Sequence, residues 1–171
     1  IRLDPYDPGT FGSRGVAHGR LGQHQGAVAD FSEAIRLDPR HAAAFSGRGI
    51  AHALLGQHER AADDFGQAIR FDPDNAEAHN GLAWLLATAR EPQPRDAALA
   101  LELARKACEL TQWQNAGYLD TLAAAHAAAG QFDEAVRWQQ AALAFADFEK
   151  RSGEAARRRL ALYQEGRPYR R

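Results

Sequence analysis

The chain has 171 residues, of which 45% are apolar and 25% charged, an ordinary composition for a globular domain with a sizeable core. Its net charge of −1 produces no overall field that would attract nucleic acid or a membrane surface, so neither is predicted as a partner. No run of about 18 apolar residues, the length that a membrane span needs, is present. The single cysteine, Cys108, cannot form an internal disulfide, which favours a reducing, cytoplasmic location.

A five-residue motif recurs with a period of 34 residues. Ile-Arg-Leu-Asp-Pro stands at 1–5 and again at 35–39, and Ile-Arg-Phe-Asp-Pro stands at 69–73. The register between these motifs also holds, since Leu-Gly-Gln-His at 21–24 returns at 55–58. A repeat of this length predicts an array of helix–turn–helix units that bury their apolar faces by stacking on each other. Such an array offers a surface for holding a partner, and we expect no bond chemistry in its core.

The predicted units follow one another along the chain. They are a remnant of a preceding repeat at 1–7, a first repeat at 8–41, a second at 42–75, a third at 76–115, a fourth at 116–147, and a capping helix with a basic tail at 148–171. Because the chain opens on the last turn of a repeat and contains no methionine, we expect it to be the C-terminal array of a larger, bacterial-type protein. Its cut N-terminal face then offers a surface for self-association.

Glycine and proline mark the predicted helix ends. Gly22 and Gly56 end the first helices of their repeats, because glycine readily adopts the left-handed backbone that leads a chain out of a helix. Gly130 is expected at the same turn of the fourth repeat. The second helices, at about 25–37 and 59–71, end before Asp-Pro, since proline disfavours a helical residue before it.

The third repeat contains a predicted interruption. Its first helix is expected at about 76–89, and two prolines then predict a loop at 90–96. Asp96 is the expected N-cap of the next helix, at about 97–111. The second helix of the fourth repeat is predicted at about 132–146.

The end of the chain is locally basic. Residues 148–171 contain eight basic side chains and three acidic ones. Because these charges alternate with the apolar Leu160, Leu162 and Tyr163, the pattern favours a helix that covers the last repeat over a segment that binds nucleic acid or a membrane. Gly166 is expected to end this helix.

The first two repeats resemble the tetratricopeptide repeat family. They share its small residues, its aromatic residues and its closing prolines: Gly15, Ala27, Gly49 and Ala61; Phe11, Phe31, Phe45 and Phe65; Pro39 and Pro73. The resemblance covers about residues 1–147 and is weaker in the third and fourth repeats. It implies an all-α fold, a right-handed superhelix or α-solenoid of about four helix–turn–helix repeats plus a C-terminal capping helix. The first helices of such a superhelix line a concave groove that binds a protein or peptide.

The resemblance also implies which side chains line the groove. The predicted partner-binding residues are Arg20, Ser46, Ile50, Leu54, Glu77, Asn80, Trp84, Asp120 and Thr121. No lysine is expected to point inward, so a terminal carboxylate is not the predicted ligand. We predict an extended or helical polypeptide segment with an apolar anchor against Trp84 and Ile50. The alternative is that Trp84 only packs between repeats.

Two pairs of charged residues vary together between repeats. The arginine position holds Arg14, Arg48, Leu82 and Leu122, and the aspartate position holds Asp30, Asp64, Leu103 and Trp138. Because both positions change from charged to apolar in the same repeats, we predict that they touch, in a largely buried part of each unit, and fix how its two helices pack.

The residue types that could carry catalysis or bind a metal are interpreted as structural. Five histidines stand at equivalent positions of the units: His18, His52, His126, His24 and His58. Residues that repeat once per unit are about 10 Å apart, too far for shared metal coordination near 2 Å. Cys108 is expected in the core. We therefore predict no catalytic residue, no metal and no cofactor.

The predicted function is a non-catalytic protein–protein interaction or scaffold module. The alternative is a substrate-docking or regulatory region of a larger enzyme, such as a kinase or transferase, whose catalytic domain lies outside this chain. The complete reading frame of the gene would distinguish these two possibilities.

Overall fold

The computed structural model describes residues 7–89 and 94–170. These residues form nine α-helices and no strand, which confirms the predicted all-α fold class. The helices are α1 (Pro8–Arg20), α2 (His24–Leu37), α3 (Ala42–Leu54), α4 (His58–Phe71), α5 (Ala76–Thr88), α6 (Pro94–Leu110), α7 (Ala116–Ala128), α8 (Phe132–Leu143) and α9 (Ala146–Gln164). The predicted remnant at 1–7, apart from Asp7, and residues 90–93 of the predicted loop lie outside the described residues. Among the helices described, none has both the length and the apolar character needed to cross a membrane.

The helices belong to two compact units. Unit 1 is Ile1–Gly81 and unit 2 is Leu82–Arg171. In unit 1, α1 packs against α2, and α3 packs against both α2 and α4. In unit 2, α7 packs against α6 and α8, while α9 packs against both α7 and α8. The two helices of the first, second and fourth repeats therefore pack against each other as hairpins, as the repeat pattern predicts.

The predicted turns are present. Gly22 and Gly56 have backbone φ angles of 73° and 75°, and Gly130 has a φ angle of 75°. Each of these glycines directly follows the C-cap of the first helix of its repeat, where the left-handed backbone ends the helix. Helices α2 and α4 end at Leu37 and Phe71, the predicted positions before Asp-Pro.

Two predicted helix boundaries were wrong. Helix α6 begins at Pro94, so Asp96 lies in its first turn and is not its N-cap. Proline is accommodated there because the first residues of a helix need no backbone N–H donor inside the helix. Helix α8 ends at Leu143, three residues before the predicted end, because Phe145 is extended and leads the chain into α9 at Ala146.

The core of unit 1 is built from aromatic rings that pack on glycines. The ring of Phe31 in α2 lies against Gly15 of its own repeat and Gly47 of the next one, and a Cβ atom at Gly47 would be 2.4 Å from that ring. Phe65 in α4 repeats this arrangement, since a Cβ atom at Gly81 would also lie 2.4 Å from its ring. These glycines are required by close packing, and each ring joins two neighbouring repeats.

The core of unit 2 joins α7, α8 and α9. Tyr163 of α9 is 1% exposed and packs with alanines of α7 and α8. The rings of Trp113 and Trp138 stack at a centroid distance of 5.1 Å. Helix α9 therefore covers the last repeat with its apolar side, as predicted from the alternation of charged and apolar residues.

Candidate binding surfaces

The predicted arginine–aspartate contacts are confirmed in both repeats. Arg14 Nη2 lies 2.6 Å from Asp30 Oδ1, and Arg48 Nη2 lies 2.7 Å from Asp64 Oδ1. In each pair the arginine Nε also donates to the other carboxylate oxygen, at 2.9 Å. The pairs are therefore bidentate, the strong geometry for these two side chains, and they join the two helices of one repeat.

The expected burial of the arginine position was wrong for the first repeat. The Arg14 side chain is 46% exposed, whereas that of Arg48 is 23% exposed. Arg48 is better covered because α2 of the preceding repeat packs on α3, and Ser32 Oγ accepts a hydrogen bond from Arg48 Nη1 at 3.1 Å. The hydrogen bond and the charge of Asp30 raise the pKa of Arg14 above its ordinary value.

The repeated histidines connect the end of each first helix to its turn and its second helix. His52 Nδ1 lies 2.6 Å from Gln57 Oε1, while its Nε2 lies 3.8 Å from Asp64 Oδ2. His18 and His126 make the same contact with a glutamine five residues ahead, at 2.5 and 2.7 Å. These contacts agree with the interpretation of the histidines as structural. In residues 7–89 and 94–170 no group of three histidine, cysteine or acidic side chains is arranged to hold a metal.

Cys108 lies in the core of unit 2, where it is 0% exposed. Burial, with a smaller contribution from the charge of Glu109, raises the pKa of its thiol to about 12. The thiol therefore stays protonated near neutral pH, and the reactive thiolate form is suppressed. This environment suits a packing residue.

A pocket of about 240 Å³ opens between α1 and α3 in unit 1. Its lining consists of Gly15, Val16, Gly19, Arg20, His24, Ala27, Phe31, Gly47, Ile50, Ala51, Leu54 and Glu77. Glycines and alanines leave the space empty, and larger apolar side chains surround it. Val16 is 45% exposed and Leu54 is 60% exposed, so apolar surface faces the solvent here.

Polar groups lie at the edges of this unit 1 pocket. Glu77 is exposed, and its Oε2 accepts a hydrogen bond from Ser46 Oγ at 3.3 Å. Arg20 is exposed on the α1 side. The Nδ1 atom of His24 is buried without a hydrogen-bond partner among the described residues. An apolar pocket with a few polar groups at its rim is typical of a binding surface.

The structure distributes the predicted groove residues over the two units. Four of the residues predicted in unit 1 line the pocket: Arg20, Ile50, Leu54 and Glu77. Ser46 is 1% exposed, and its hydroxyl donates the hydrogen bond to Glu77. Asn80 is half-buried, and its Oδ1 has no hydrogen-bond partner within the described part of the chain.

The residues predicted in the fourth repeat do not lie on an open surface. Asp120 is 7% exposed and accepts hydrogen bonds from Arg159 Nη2 at 2.8 and 2.9 Å and from Gln139 Nε2 at 2.6 Å. Thr121 is 3% exposed, and its hydroxyl donates to Gly117 O at 3.1 Å. The prediction that Asp120 and Thr121 face a groove is therefore corrected, because α9 brings Arg159 onto the carboxylate of Asp120.

Trp84 in α5 is half-buried. The ring of Tyr169 lies 6.0 Å from the Trp84 ring, and the guanidinium carbon of Arg159 lies 5.5 Å from it. Arg170 Nη1 donates to Ala87 O at 2.7 Å, one helical turn further along α5. Trp84 was predicted either to anchor a ligand on an open surface or to pack only between repeats. Neither prediction placed it against Tyr169 and Arg159.

The sequence analysis missed four residues of this region: Gln139, Arg159, Tyr169 and Arg170. It treated the basic residues after 147 as one solvated group. Two residues of the fourth repeat could have indicated this region. Asp120 stands at a position where the other repeats have uncharged residues, and Gln139 stands where the first two repeats have phenylalanine. A buried carboxylate requires a partner.

Comparisons with known proteins agree with this architecture. Profiles of the family described as tetratricopeptide repeat match residues 13–74, 55–116 and 116–146. No curated protein matches the chain significantly in sequence. Among solved structures, a crystal structure of MamA protein is 20% identical over 88% of this chain and 78% of that one, with a TM-score of 0.65. A second crystal structure of MamA is 22% identical over 89% of this chain and 82% of that one, with a TM-score of 0.66.

The structural similarities show a common fold, and the profile matches cover more than half of the residues. Repeats of this type are generally non-catalytic modules for protein–protein interaction, so a role as an interaction scaffold is supported. The period of 34 residues, the paired helices, the glycine turns and the profile matches lead to the same result: the chain belongs to the tetratricopeptide repeat family.

Proposed function

We propose that this chain is a non-catalytic scaffold that binds a polypeptide segment of a partner protein on unit 1, with an apolar side chain of that segment seated in the pocket between α1 and α3. The observation that carries the proposal is the exposed apolar lining of this pocket. Large apolar side chains seldom remain solvent-exposed around a recess unless a partner covers them. Leu54 and Val16 provide this surface from two different helices.

The shape of the pocket favours one anchoring side chain over a broad flat contact. Its volume of about 240 Å³ is below the usual range of small-molecule sites, about 300–1,000 Å³, and suits a single large apolar side chain. The ring of Phe31 and the side chain of Ile50 form apolar walls. An anchor buried there supplies most of the binding energy, as is usual for protein interfaces.

Glu77 and Arg20 give the bound segment a direction. Both are exposed at the rim, and they carry opposite charges. A partner segment with a basic group on the Glu77 side of its anchor and an acidic group on the Arg20 side would be complementary to both. Charges at a rim contribute mainly to specificity and association rate, so the apolar anchor remains the larger contribution.

The test uses a displayed library of random peptides, selected on the chain. Selected peptides are expected to share a large apolar residue, and their affinity should fall at least about tenfold for Leu54→Asp and for Val16→Asp, since a carboxylate would have to be desolvated in the pocket. The matched control is Leu99→Asp in unit 2, a helical leucine that is 43% exposed and does not line the pocket. Equal affinities for Leu54→Asp, Val16→Asp and the control would refute the proposal.

The alternative function, a docking or regulatory region of a larger enzyme, would use the same surface. It differs only in what the chain is joined to, and no described residue favours it. A cytoplasmic location, the absence of nucleic-acid and membrane partners, and self-association through the N-terminal face remain predictions from the sequence.

A further inference from the structure

A short segment after α9 packs on α5. We name residues 167–170 the return segment. Gly166, with a φ angle of 69°, turns the chain at the end of α9, and the Arg167 N–H donates to Leu162 O at 2.9 Å. The segment has no regular secondary structure, yet it places Tyr169 on Trp84 and Arg170 on the end of α5.

The tyrosine of the return segment lies in an aromatic and cationic environment. Its ring centroid is 6.0 Å from that of Trp84, with an angle of 32° between the ring planes. The guanidinium carbon of Arg159 lies 5.5 Å from the Trp84 ring and 5.7 Å from the Tyr169 ring. Arg159 is held in place by its hydrogen bonds to Asp120. This arrangement forms a preorganised surface for one aromatic ring, since Trp84 and Arg159 are positioned by the helices of unit 2.

The arginine of the return segment occupies a position suited to a cation. Arg170 Nη1 donates to Ala87 O at 2.7 Å. Ala87 is in the last turn of α5, where backbone carbonyls have no N–H partner within the helix and where the helix dipole is negative. Burial lowers the pKa of Arg170, so its contact also carries a desolvation cost. The contact therefore favours a cationic donor at this end of α5.

We propose that Trp84, Arg159 and the Ala87 carbonyl form a second binding surface, on unit 2, for a polypeptide segment in which an aromatic residue directly precedes arginine. The return segment fills this surface within the same chain. A partner protein that carries the same pair of residues binds by displacing it. This surface shares no residue with the unit 1 pocket, so the proposal does not depend on the proposed function.

Displacement is feasible because the occupant is short. Two adjacent side chains make the contacts with α5, and Tyr169 also packs at the edge of the buried cluster around Tyr163. The backbone of the segment has no regular secondary structure. A segment tethered by a few residues acts at an effective concentration in the millimolar range, so a competitor with only the same two contacts must be supplied at comparable concentration. A partner with additional contacts would compete at lower concentration.

The test uses the tryptophan indole N–H signals in nuclear magnetic resonance spectra of the full chain. The double variant Tyr169→Ala/Arg170→Ala should shift the Trp84 signal, assigned with Trp84→Phe, and leave the Trp113 signal unchanged. A synthetic peptide with the sequence Arg-Pro-Tyr-Arg-Arg, that of residues 167–171, should return the Trp84 signal toward its original position. The wild-type chain should bind this peptide at least tenfold more weakly than the double variant does.

The controls separate binding from structural support. The same peptide with alanine in place of tyrosine should leave the Trp84 signal of the double variant unchanged. Arg167→Ala, which removes only the exposed pair with Glu165, should behave like wild type. If the double variant loses its helical circular dichroism, Arg170→Ala alone is used with the same peptide and the same expectation. A Trp84 signal that shifts in the variant and does not respond to the peptide would overturn the proposal, since the return segment would then only cover α5.

Discussion

The pair of Arg48 and Asp64 offers a direct test of how the two helices of a repeat are held together. Replacement of Arg48 by leucine removes two charge-assisted hydrogen bonds, at 2.9 and 2.7 Å, and leaves Asp64 5% exposed without its cation. Replacement of both residues by leucine reproduces the combination that the third repeat already has at these positions, Leu82 and Leu103. We therefore expect the single variant to be less stable than the double variant.

The size of the difference follows from the burial of the pair. Removal of one partner from a fully buried ion pair costs about 3–5 kcal/mol. The Arg48 side chain is 23% exposed, so water reaches the remaining carboxylate, and we reduce the expected cost of Arg48→Leu to about 2–3 kcal/mol. The double variant loses the pair but gains apolar contact, and should lie within about 1 kcal/mol of wild type. Arg14→Leu, at the more exposed pair, should cost less than Arg48→Leu.

The measurement is urea unfolding followed by circular dichroism, at about pH 8. The three variants are compared with wild type only if their m-values agree, because repeat arrays can unfold in parts. A double variant less stable than Arg48→Leu would refute the reasoning, since the aspartate would then be stable without its arginine.

Three further predictions concern packing, dynamics and pH. Gly81→Ala should lower the free energy of unfolding by more than about 1 kcal/mol, because its Cβ atom would overlap an aromatic ring of α4. Gly66→Ala, where a Cβ atom would have no atom within 4 Å, should raise the free energy of unfolding by up to about 1 kcal/mol. Equal effects of the two variants would contradict the packing argument. Residues 9–21 should exchange amide hydrogens faster than residues 42–55, because four glycines in α1 lower its helix propensity. Slower exchange in residues 9–21 would contradict this expectation. Burial raises the pKa of Cys108 from about 9 to about 12, so its contribution to stability is present below pH 9 and is lost as the pH rises toward 12. Unfolding measured at several pH values should show that the free energy of unfolding falls less in this pH range for Cys108→Ala than for wild type.

The structure of the repeated part of the chain was predictable because equivalent positions of successive repeats can be compared with each other. Leu-Gly-Gln-His occurs twice at the same register, so a turn could be inferred at both sites, and Gly22 and Gly56 adopt the expected left-handed backbone. Arg48 and Asp64 could be paired because both change to apolar residues in later repeats. Each such inference relates residues at most 16 positions apart within one hairpin. Local geometry then decides the contact.

The surfaces of unit 2 were not predictable in the same way. Arg159 reaches Asp120 over 39 residues, and Arg170 reaches Ala87 over 83 residues. Helix α9 and the return segment each occur once and have no equivalent in the other repeats. The sequence therefore cannot show which of their seven basic side chains varies with which partner. Charge counting treats these arginines as equivalent, although Arg159 is 8% exposed and Arg158 is largely exposed. The difference depends on which face of α9 packs on α7 and α8.

Departures from the repeat nevertheless carry information about the cap. The position of Asp120 holds glycine, serine and asparagine in the first three repeats, and the position of Gln139 holds phenylalanine in the first two. A carboxylate and an amide that are buried in the same repeat need hydrogen-bond partners, and the repeat does not supply enough donors for both oxygen atoms of the carboxylate. The next element must then supply a buried donor, which makes one arginine of α9 a structural residue. By the same reasoning, a repeat that breaks its own pattern with polar residues indicates where a non-repeated element docks.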